Sequence, residues 1–241
     1  MPLISYNATD AHAFAETRHL PGKALDTWRQ AITGHLHPHP GQHLLDLGSG
    51  TGSWTTAFHT WWPGTQITAV EPSPAMRDHA LVPTHPGHAA DIPLPDNSVD
   101  AVWLSTVIHH IPDLPAAAHE IHRVLKPGGV VLIRSVFPGR HQGITLFRYF
   151  PEAATVVDRY PSPTDVQTAF TGFTTTALEP VPQETAPSLS HAAATLVREA
   201  HTPLQLISDQ AYAAGLAHMR DDARGSAGPV IDTLDLLVLR R

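Results

Sequence analysis

Three closely spaced glycines lie in the segment LLDLGSGTGSWT, which covers residues 44–55. Gly48, Gly50 and Gly52 follow a short apolar run that contains one acid, Asp46. Glycines this dense after a predicted strand are typical of loops whose backbone comes very close to a ligand. The segment therefore predicts a ligand-binding loop, in which Asp46 either bonds the backbone amides of the loop or contacts the ligand itself.

The spacing of the glycines limits which ligand this loop binds. The dinucleotide fingerprint is G-x-G-x-x-G, with the third glycine inside the helix, whereas this chain has G-x-G-x-G. A Walker-type phosphate loop needs a lysine that the segment lacks, and no arginine or lysine stands by to clamp a pyrophosphate. We therefore expect an adenosyl cofactor without a pyrophosphate, with a nicotinamide dinucleotide as the alternative.

A second group with chemical potential lies in LSTVIHHIPD, residues 104–113. Ser105 and Thr106 end a predicted strand, and His109 and His110 follow it. Histidine titrates near neutral pH, so either ring can take a proton from a substrate or orient it. The chain contains 18 histidines, and packing of this pair without substrate contact is the alternative.

Strands and helices alternate from residue 43 to residue 136, and these elements must position both groups. Strands are predicted at His43–Leu47, Gln66–Glu71, Ser98–Ser105 and Val130–Val136, with a weak one near Gly87–Ala90. Helices are predicted at Ser53–Trp62, from Pro74 onwards and at Leu114–Leu125, and a turn is predicted at Lys126–Gly129. This alternation of helices with continuously apolar strands indicates a parallel sheet covered on both faces.

The C-terminal third is less regular. Helices are predicted at Thr164–Phe170, at His191–His201 and twice within Thr202–Arg220. Strands are predicted at Gly172–Glu179 and Asp232–Arg240, and we expect them to pair as an antiparallel edge. Residues 139–162 are rich in aromatics, which predicts a cap over the carboxyl edge of the sheet, where α/β folds bind ligands.

The composition excludes several classes of protein. A chain of 241 residues with 42% hydrophobic residues can bury a full core, and one elaborated domain is expected. The absence of cysteine excludes disulfides, thiolate metal sites and a cysteine nucleophile. The net charge of −7, without basic runs, argues against nucleic acid as a partner. No segment reads as a membrane span or a signal peptide, so we expect a cytoplasmic protein with no membrane partner.

The glycine loop and four later segments, in their order and spacing, resemble the motifs of class I S-adenosylmethionine-dependent methyltransferases. The later segments are QITAVE, EPSPAM, AADIPLPDNSVD and LKPGG. The resemblance is to the small-molecule type of this family. It implies an α/β fold with a Rossmann-like, mostly parallel seven-stranded sheet, helices on both faces, an antiparallel last strand and a small helical cap. It also implies S-adenosylmethionine as the cofactor.

The same resemblance assigns roles to individual residues. Glu71 accepts hydrogen bonds from both ribose hydroxyls, because an ionised carboxylate forms charge-assisted bonds with a vicinal diol. Asp91 meets the adenine amino group, Tyr6 caps the bound molecule and Arg18 pairs with its methionine carboxylate. The alternatives are Glu71 as a surface acid, Asp91 as a turn former and Arg18 as a solvated arginine on an ordinary amphipathic helix. The expected cofactor-binding residues are Tyr6, Arg18, Asp46, Gly48, Ser49, Gly50, Gly52, Glu71, Pro72, Met76, Asp91, Ile92 and Ser105.

The resemblance covers nearly the whole chain as one methyltransferase domain. Residues 1–40 are expected to form an N-terminal helical lid and residues 41–138 the cofactor-binding core. Residues 139–163 and 185–228 are expected to form the substrate cap, and residues 164–184 and 229–241 to carry the C-terminal strands. A monomer or a homodimer is expected.

The expected reaction is methyl transfer to a small acceptor, an aromatic or heterocyclic (for example indole-like) secondary metabolite, at carbon or nitrogen. Proximity and orientation supply about 7–11 kcal/mol of such a barrier. A base becomes important only where the acceptor loses a proton as it attacks. His109, His110 and Tyr149 are the candidate catalytic residues, and no metal site is expected. The alternatives are an O-methyltransferase with a histidine base, a nicotinamide-dependent oxidoreductase and a non-catalytic cofactor-binding protein.

Overall fold

The apolar segments form one seven-stranded sheet in the computed structural model, which describes residues 8–17 and 22–241. The strands are β1 (His43–Leu47), β2 (Gln66–Glu71), β3 (Thr84–Pro86), β4 (Val99–Ser105), β5 (Leu125–Ser135), β6 (Thr174–Ala186) and β7 (Val230–Arg240). Their order across the sheet is β3-β2-β1-β4-β5-β7-β6. The five strands from β3 to β5 in this order run parallel, whereas β7 runs antiparallel to both β5 and β6. The predicted α/β fold class and the antiparallel edge are confirmed.

The strand order reverses at β1. The chain builds outward from β1 to β3 and then returns to place β4 on the other side of β1. In open parallel sheets, such a reversal leaves a crevice at the carboxyl ends of the strands, and ligands bind there. The glycine loop after β1 and the Ser105 end of β4 both lie at this edge.

Helices pack against both faces of the sheet. The described helices are α1 (Ala8–Thr17), α2 (Gly22–Leu36), α3 (Ser53–Trp61), α4 (Pro74–Asp78), α5 (Leu114–Val124), α6 (Thr145–Tyr149), α7 (Pro151–Val157), α8 (Pro163–Ala169), α9 (Leu189–Thr195), α10 (Thr202–Gln205) and α11 (Asp209–Ala223). Alternate residues of β4 enter two separate cores: Trp103 packs with Trp28 and Phe58, whereas Val102 packs on the opposite face. Burial on both faces explains why these strands are continuously apolar.

The cap is tied to β7 by charged and polar contacts. Arg140 donates two hydrogen bonds of 2.7 Å to the buried carboxylate of Asp235. The backbone amide of Thr145 donates to Asp232 at 2.7 Å, which fixes the start of α6. The predicted cap of aromatic residues therefore sits against the antiparallel edge of the sheet.

Several predicted boundaries are wrong. The Lys126–Gly129 segment, predicted as a turn before a strand, is a bulge inside β5, because Val99 pairs with Leu125 and Ala101 pairs with Val130. The C-terminal residue Arg241 exchanges backbone bonds with Gly128 and Gly129, which holds the bulge in the sheet. The predicted helix His191–His201 is α9 followed by a separate 3₁₀ turn at Arg198–Ala200.

Candidate cofactor and acceptor site

A cavity of about 310 Å³ lies at the carboxyl edge of the sheet. Its walls are the loop after β1, the ends of β4 and β5, the cap, and the inner sides of β6 and β7. This volume is at the lower end of the range for sites that hold small organic ligands. The structure therefore brings the two predicted groups, the glycine loop and the histidine pair, to one cavity.

The loop after β1 is folded against β2 by its own backbone. The amides of Gly48 and Ser49 both donate to the carbonyl of Val70, at 2.7 and 3.0 Å. Gly48 and Gly52 have φ angles of +74° and +80°. A Cβ at Gly48 would lie 2.7 Å from the methyl groups of Val107, and one at Gly52 would lie 2.8 Å from a methyl of Val82. Gly48 and Gly52 are therefore required by the folding of the loop, apart from any ligand.

Ser49 supplies an unsatisfied polar group that faces the cavity. Its side chain is 9% exposed, and its Oγ has no hydrogen-bond partner among the described residues. Buried hydroxyls are normally hydrogen-bonded, so this one is suited to a ligand that brings the partner with it. The residue thus fits the predicted cofactor by a criterion that is independent of its place in the motif.

Glu71 ends β2 beside the loop and is 7% exposed. Its two carboxylate oxygens accept hydrogen bonds from the backbone amides of Gly50 and Ser73, at 2.9 and 2.8 Å. Burial raises the pKa of Glu71 above its usual range, and these two amides oppose the rise. A carboxylate can accept about four hydrogen bonds, so its oxygens have capacity for a diol as well. Glu71 is therefore not the surface acid of the alternative interpretation.

Asp46 lies beneath the loop and is not among the residues that line the cavity. Its carboxylate accepts a 2.6 Å hydrogen bond from the hydroxyl of Thr55 in α3, and the Thr55 backbone also stabilises its charge. Burial raises the pKa of Asp46 from 3.8 to about 7. The partner is thus Thr55 of α3, where the prediction named backbone amides of the loop, and these contacts favour a positioning role for Asp46 over contact with the ligand.

The remaining predicted cofactor residues lie along the β2–β3 edge, next to the cavity and outside its lining. Met76 is buried in α4, whereas Pro72 is exposed. Asp91 has an exposed side chain and pairs through its backbone with His88. Ile92 is buried, and its amide donates to Glu120. Tyr6 and Arg18 lie outside the described residues.

The end of β4 has a strained backbone. Thr106, which lines the cavity, has a φ of +55°, a conformation that is costly for a β-branched residue. Its amide donates to the carbonyl of Arg134 at 2.7 Å, and its hydroxyl donates to the carbonyl of Ser105. Strain of this kind is common at functional sites, where the surrounding structure holds it in place.

The two histidines lie in the 3₁₀ turn after β4 and line the cavity. The ring of His109 stacks on Tyr160 of the cap, with centroids 4.0 Å apart and planes within 1°. His110 packs against His109, and burial lowers the pKa of His110 to about 4. His110 is therefore neutral at pH 7 and holds a proton too weakly to be an effective general base there.

Tyr149 is not brought into the cavity. Its ring is 3% exposed, and its hydroxyl donates a 3.0 Å hydrogen bond to Asp222 of α11. Phe147, two residues earlier, lines the cavity instead. The short helix α6 turns the two side chains in different directions, so the aromatic run supplies both a cavity wall and packing within the cap.

The sequence analysis did not identify Arg134, the one arginine or lysine among the described residues that line the cavity. Arg134 lines the cavity at the end of β5 and is 3% exposed. The signal was present, because an arginine interrupts the apolar run VVLIRSV at the carboxyl end of a predicted buried strand. Trp54, Tyr160 and Gln183 also line the cavity, and nothing in their local sequence distinguishes them.

The N-terminal helix α1 packs against α4 and against the 3₁₀ turn Arg198–Ala200. The rings of His12 and His79 lie 5.8 Å apart across the first of these contacts. Within residues 8–17 and 22–241, none of the helices has the length and apolar character needed to cross a bilayer. In that same part of the chain, no cluster of three or more histidine and acidic side chains is arranged to hold a metal ion.

Comparison with known proteins identifies the central part of the chain. Residues 45–133 match the family model described as a methyltransferase domain. Over 122 residues, the chain is 37% identical to a malonyl-[acyl-carrier protein] O-methyltransferase from Serratia marcescens. This alignment covers 47% of the chain and 46% of that relative, so the match spans less than half of each protein.

Solved structures match over a longer stretch. A structure from Anabaena variabilis, described as a methyltransferase from an antibiotic biosynthesis pathway, has a TM-score of 0.67 at 23% identity and covers 88% of this chain and 95% of its own. An N-methyltransferase from Haemonchus contortus, in complex with phosphomonomethylethanolamine and S-adenosylhomocysteine, has a TM-score of 0.59 at 21% identity and covers 98% of this chain and 58% of its own. At these identities the likeness shows the fold. Together, the solved structures confirm the predicted Rossmann-like fold, and residues 45–133 match the methyltransferase domain that the sequence predicts.

Proposed function

We propose that this chain, whose residues 45–133 belong to the methyltransferase domain family, transfers a methyl group from S-adenosylmethionine to a small-molecule acceptor. The observation that carries the proposal is the cavity at the carboxyl edge of the sheet, which joins the glycine loop to an aromatic-lined space under the cap. The acceptor is an aromatic or heterocyclic metabolite, and the protein acts in the cytoplasm.

The β1 side of the cavity holds the cofactor in this proposal. Glu71 binds the ribose hydroxyls, and the unsatisfied hydroxyl of Ser49 bonds the same molecule. Met76 and Asp91 lie along the neighbouring edge, where the adenine is expected. Asp46 acts indirectly, because it holds Thr55 and so the start of α3 beneath the loop.

The β4–β5 side of the cavity orients the acceptor. S-adenosylmethionine supplies an electrophilic methyl group when bound, so the protein has mainly to align the acceptor and exclude water. Phe147, Tyr160 and Trp54 provide flat apolar walls, and the cap covers them. Their arrangement supports an aromatic acceptor.

Carbon or nitrogen is the accepting atom that we propose. An oxygen acceptor must lose its proton as it attacks, which requires a base with a pKa near the working pH. Burial lowers the pKa of His110 to about 4, which makes it unsuitable for that role. His109 stacks on Tyr160, and this contact favours orientation of an aromatic acceptor over proton transfer.

Calorimetric titration with S-adenosylmethionine tests the proposal. Binding in the micromolar range is expected, and Ser49→Ala should weaken it about fivefold, the equivalent of one hydrogen bond. Ser98→Ala is the matched control, because its hydroxyl bonds Pro95 at the start of β4, away from the cavity. Absence of binding at sub-millimolar cofactor would contradict the proposal.

Two further experiments distinguish the alternatives, a nicotinamide-dependent oxidoreductase and a non-catalytic cofactor-binding protein. A fluorescence titration with NADH would reveal a nicotinamide-dependent enzyme, and we expect no binding. Methyl transfer is then assayed on a panel of aromatic amines, indoles and phenols with S-adenosylhomocysteine as the measured product. Tight cofactor binding without turnover on any of them would favour a non-catalytic cofactor-binding protein.

A further inference from the structure

The buried guanidinium of Arg134 distinguishes this cavity from a purely apolar pocket. Arg134 lies on the same face of β5 as Leu132 and at its carboxyl end, where the strand reaches the cavity. Its side chain is 3% exposed. Arginine stays protonated in proteins, so a permanent positive charge lies in the wall of the cavity.

Two uncharged side chains among the described residues, Ser105 and Gln183, hold the guanidinium in place. Its Nη1 donates to the hydroxyl of Ser105 at 3.2 Å, and its Nη2 donates to the side-chain oxygen of Gln183 at 2.8 Å. The same Gln183 oxygen accepts a 2.7 Å hydrogen bond from the indole of Trp28, which fixes the amide. The guanidinium carbon also lies 5.0 Å from the ring centre of Trp28 and 5.5 Å from that of Trp54. Such cation–π contacts orient a planar cation without neutralising it.

Arg134 lies on the acceptor side of the cavity. The glycine loop occupies the β1 side, β4 stands between, and Arg134 extends from β5. Its carbonyl accepts the amide of the strained Thr106, so the guanidinium and the end of β4 share one rigid frame. A charge at this place meets the molecule that receives the methyl group.

Arg134 is the one arginine or lysine among the described residues that line the cavity, and three histidines and an aspartate line it as well. His109 stacks with Tyr160, and His110 is neutral at pH 7. His201 lines the side of the cavity formed by the residues before α10. Asp232, the carboxylate of the wall, pairs in register with Gln183 and accepts bonds from the Thr145 amide and the Thr185 hydroxyl.

We propose that Arg134 binds an ionised carboxylate on the acceptor, so that the substrates are small aromatic acids. This inference rests on the proposed methyltransferase function and names its substrate class. The guanidinium fork matches the two oxygens of a carboxylate, and the indole of Trp54 beside it suits an aromatic ring carrying that group. Arg134 is thus a specificity-determining residue.

The test uses pairs of ligands that differ only in charge. Indole-3-acetate is compared with indole-3-acetamide, and anthranilate with anthranilamide, by calorimetry on the protein saturated with S-adenosylhomocysteine. At least one acid should bind about 10- to 100-fold more tightly than its amide, as expected for hydrogen bonds to a charged group. Methyl transfer to the acid, where it occurs, should show the same preference in KM.

Variants at Arg134 test whether this residue causes the preference for the acid over its amide. Arg134→Gln should abolish the discrimination between acid and amide while its affinity for S-adenosylhomocysteine stays within about threefold of wild type. Arg134→Lys keeps the charge, loses the fork and should retain part of the preference. Arg148→Gln is the matched control, because Arg148 is 70% exposed and pairs with Asp222 on the outside of the cap. If Arg134→Gln does not fold, Gln183→Met is used in its place. This variant removes the hydrogen bond from Gln183 that holds the guanidinium and should reduce the preference for the acid.

Three results would overturn the inference. If the wild-type complex binds acid and amide equally, the cavity has no carboxylate site, and the proposed function is unaffected. A loss of S-adenosylhomocysteine affinity above about tenfold in Arg134→Gln assigns the guanidinium to the methionine carboxylate of the cofactor instead. Failure of the wild type to bind S-adenosylhomocysteine overturns the proposed function and this inference with it.

Discussion

The two sides of the cavity are built in different ways. On the β1 side, one continuous loop presents backbone groups, and Glu71 on the next strand bonds the amide of Gly50 from outside the cavity lining. On the β5 side, the wall is made of side chains from β4, β5, β6, α6 and the segment after α7. A site made of backbone groups depends on local spacing, whereas a site made of dispersed side chains depends on the whole fold.

This difference matches the way function is distributed in folds of this kind. The loop that holds a common cofactor needs the same geometry in every member of a family. The acceptor wall differs from one protein to another, because fold alone does not determine the substrate. The predictions below test whether the two sides are as separate as the structure indicates.

The largest effect is expected at Glu71. Glu71→Ala removes the acceptor of two backbone amides and of the proposed ribose bonds, so binding of S-adenosylhomocysteine should weaken at least about 100-fold. Glu71→Gln retains one acceptor oxygen, so its affinity for S-adenosylhomocysteine should lie between that of Glu71→Ala and that of the wild type. Calorimetry measures both, with thermal unfolding as the control for folding. If Glu71→Ala binds S-adenosylhomocysteine within about threefold of wild type, Glu71 does not contribute to cofactor binding.

Gly48 tests whether the loop is held by the protein itself. Gly48→Ala costs about 1–2 kcal/mol for its positive φ, and its Cβ must also displace Val107. Gly128→Ala is the matched control, because its φ is +78° and nothing lies within 4 Å of the added Cβ. The melting temperature should fall further for Gly48→Ala, by about 2–4 °C for each additional kcal/mol.

The same comparison has an internal rescue. Adding Val107→Ala to Gly48→Ala removes the clash and should recover part of the lost melting temperature, although the backbone strain remains. If Gly48→Ala costs no more than Gly128→Ala, the packing of the loop against Val107 does not require glycine.

The contribution of Asp46 beneath the loop can be measured from the pH dependence of stability. Burial raises its pKa from 3.8 to about 7, so the folded protein holds this proton more tightly than the unfolded chain does. The stabilising contribution is therefore complete below the unfolded pKa of 3.8 and is lost as the pH rises to about 7. Asp46→Asn keeps an acceptor for the Thr55 hydroxyl and mimics the neutral form.

Thermal unfolding of wild type and Asp46→Asn across the pH range measures this contribution, because the difference between the two cancels other titrating groups. At pH 8 the variant should melt at least about 3 °C higher than wild type, and the difference should vanish toward pH 4. A variant that melts lower than wild type at pH 8 would show that the ionised carboxylate is needed in the fold.

The smallest effect is expected at Tyr149. Tyr149→Phe loses one hydrogen bond to Asp222, so stability should fall by about 0.5–1.5 kcal/mol and the methylation rate should stay within about twofold. Thermal unfolding and steady-state kinetics measure the two quantities. A rate loss of about 100-fold with an unchanged melting temperature would restore Tyr149 as a catalytic residue.

The sequence allowed more to be predicted on one side than on the other, for physical reasons. The glycine loop, Glu71 at the end of β2, and the positions of β1, β2, β4 and β5 along the chain follow from local apolar runs and spacing, which the structure retains. Arg134 was not identified because the sequence predicts that its strand, β5, is fully buried. A residue in a buried strand is not expected to face a cavity. Tyr149 was misplaced because the direction of a side chain in a five-residue helix is set by the partner, here Asp222 in α11.

The wall contributed by β6 could not be predicted from local patterns. Gln183 becomes part of the site only because β6 pairs with β7 and β7 with β5, over sequence separations that periodicity does not report. Its side chain links Trp28 of α2 to Arg134 of β5. Such links are decided by the tertiary fold.

A crystal structure of the protein with S-adenosylhomocysteine tests the division of the cavity most directly. We predict the ribose hydroxyls within hydrogen-bond distance of Glu71, a polar group of the ligand on the hydroxyl of Ser49, and the sulfur facing the space in front of Arg134. A ligand whose methionine carboxylate bonds Arg134, or whose ribose lies away from Glu71, would contradict the assignment of the two sides.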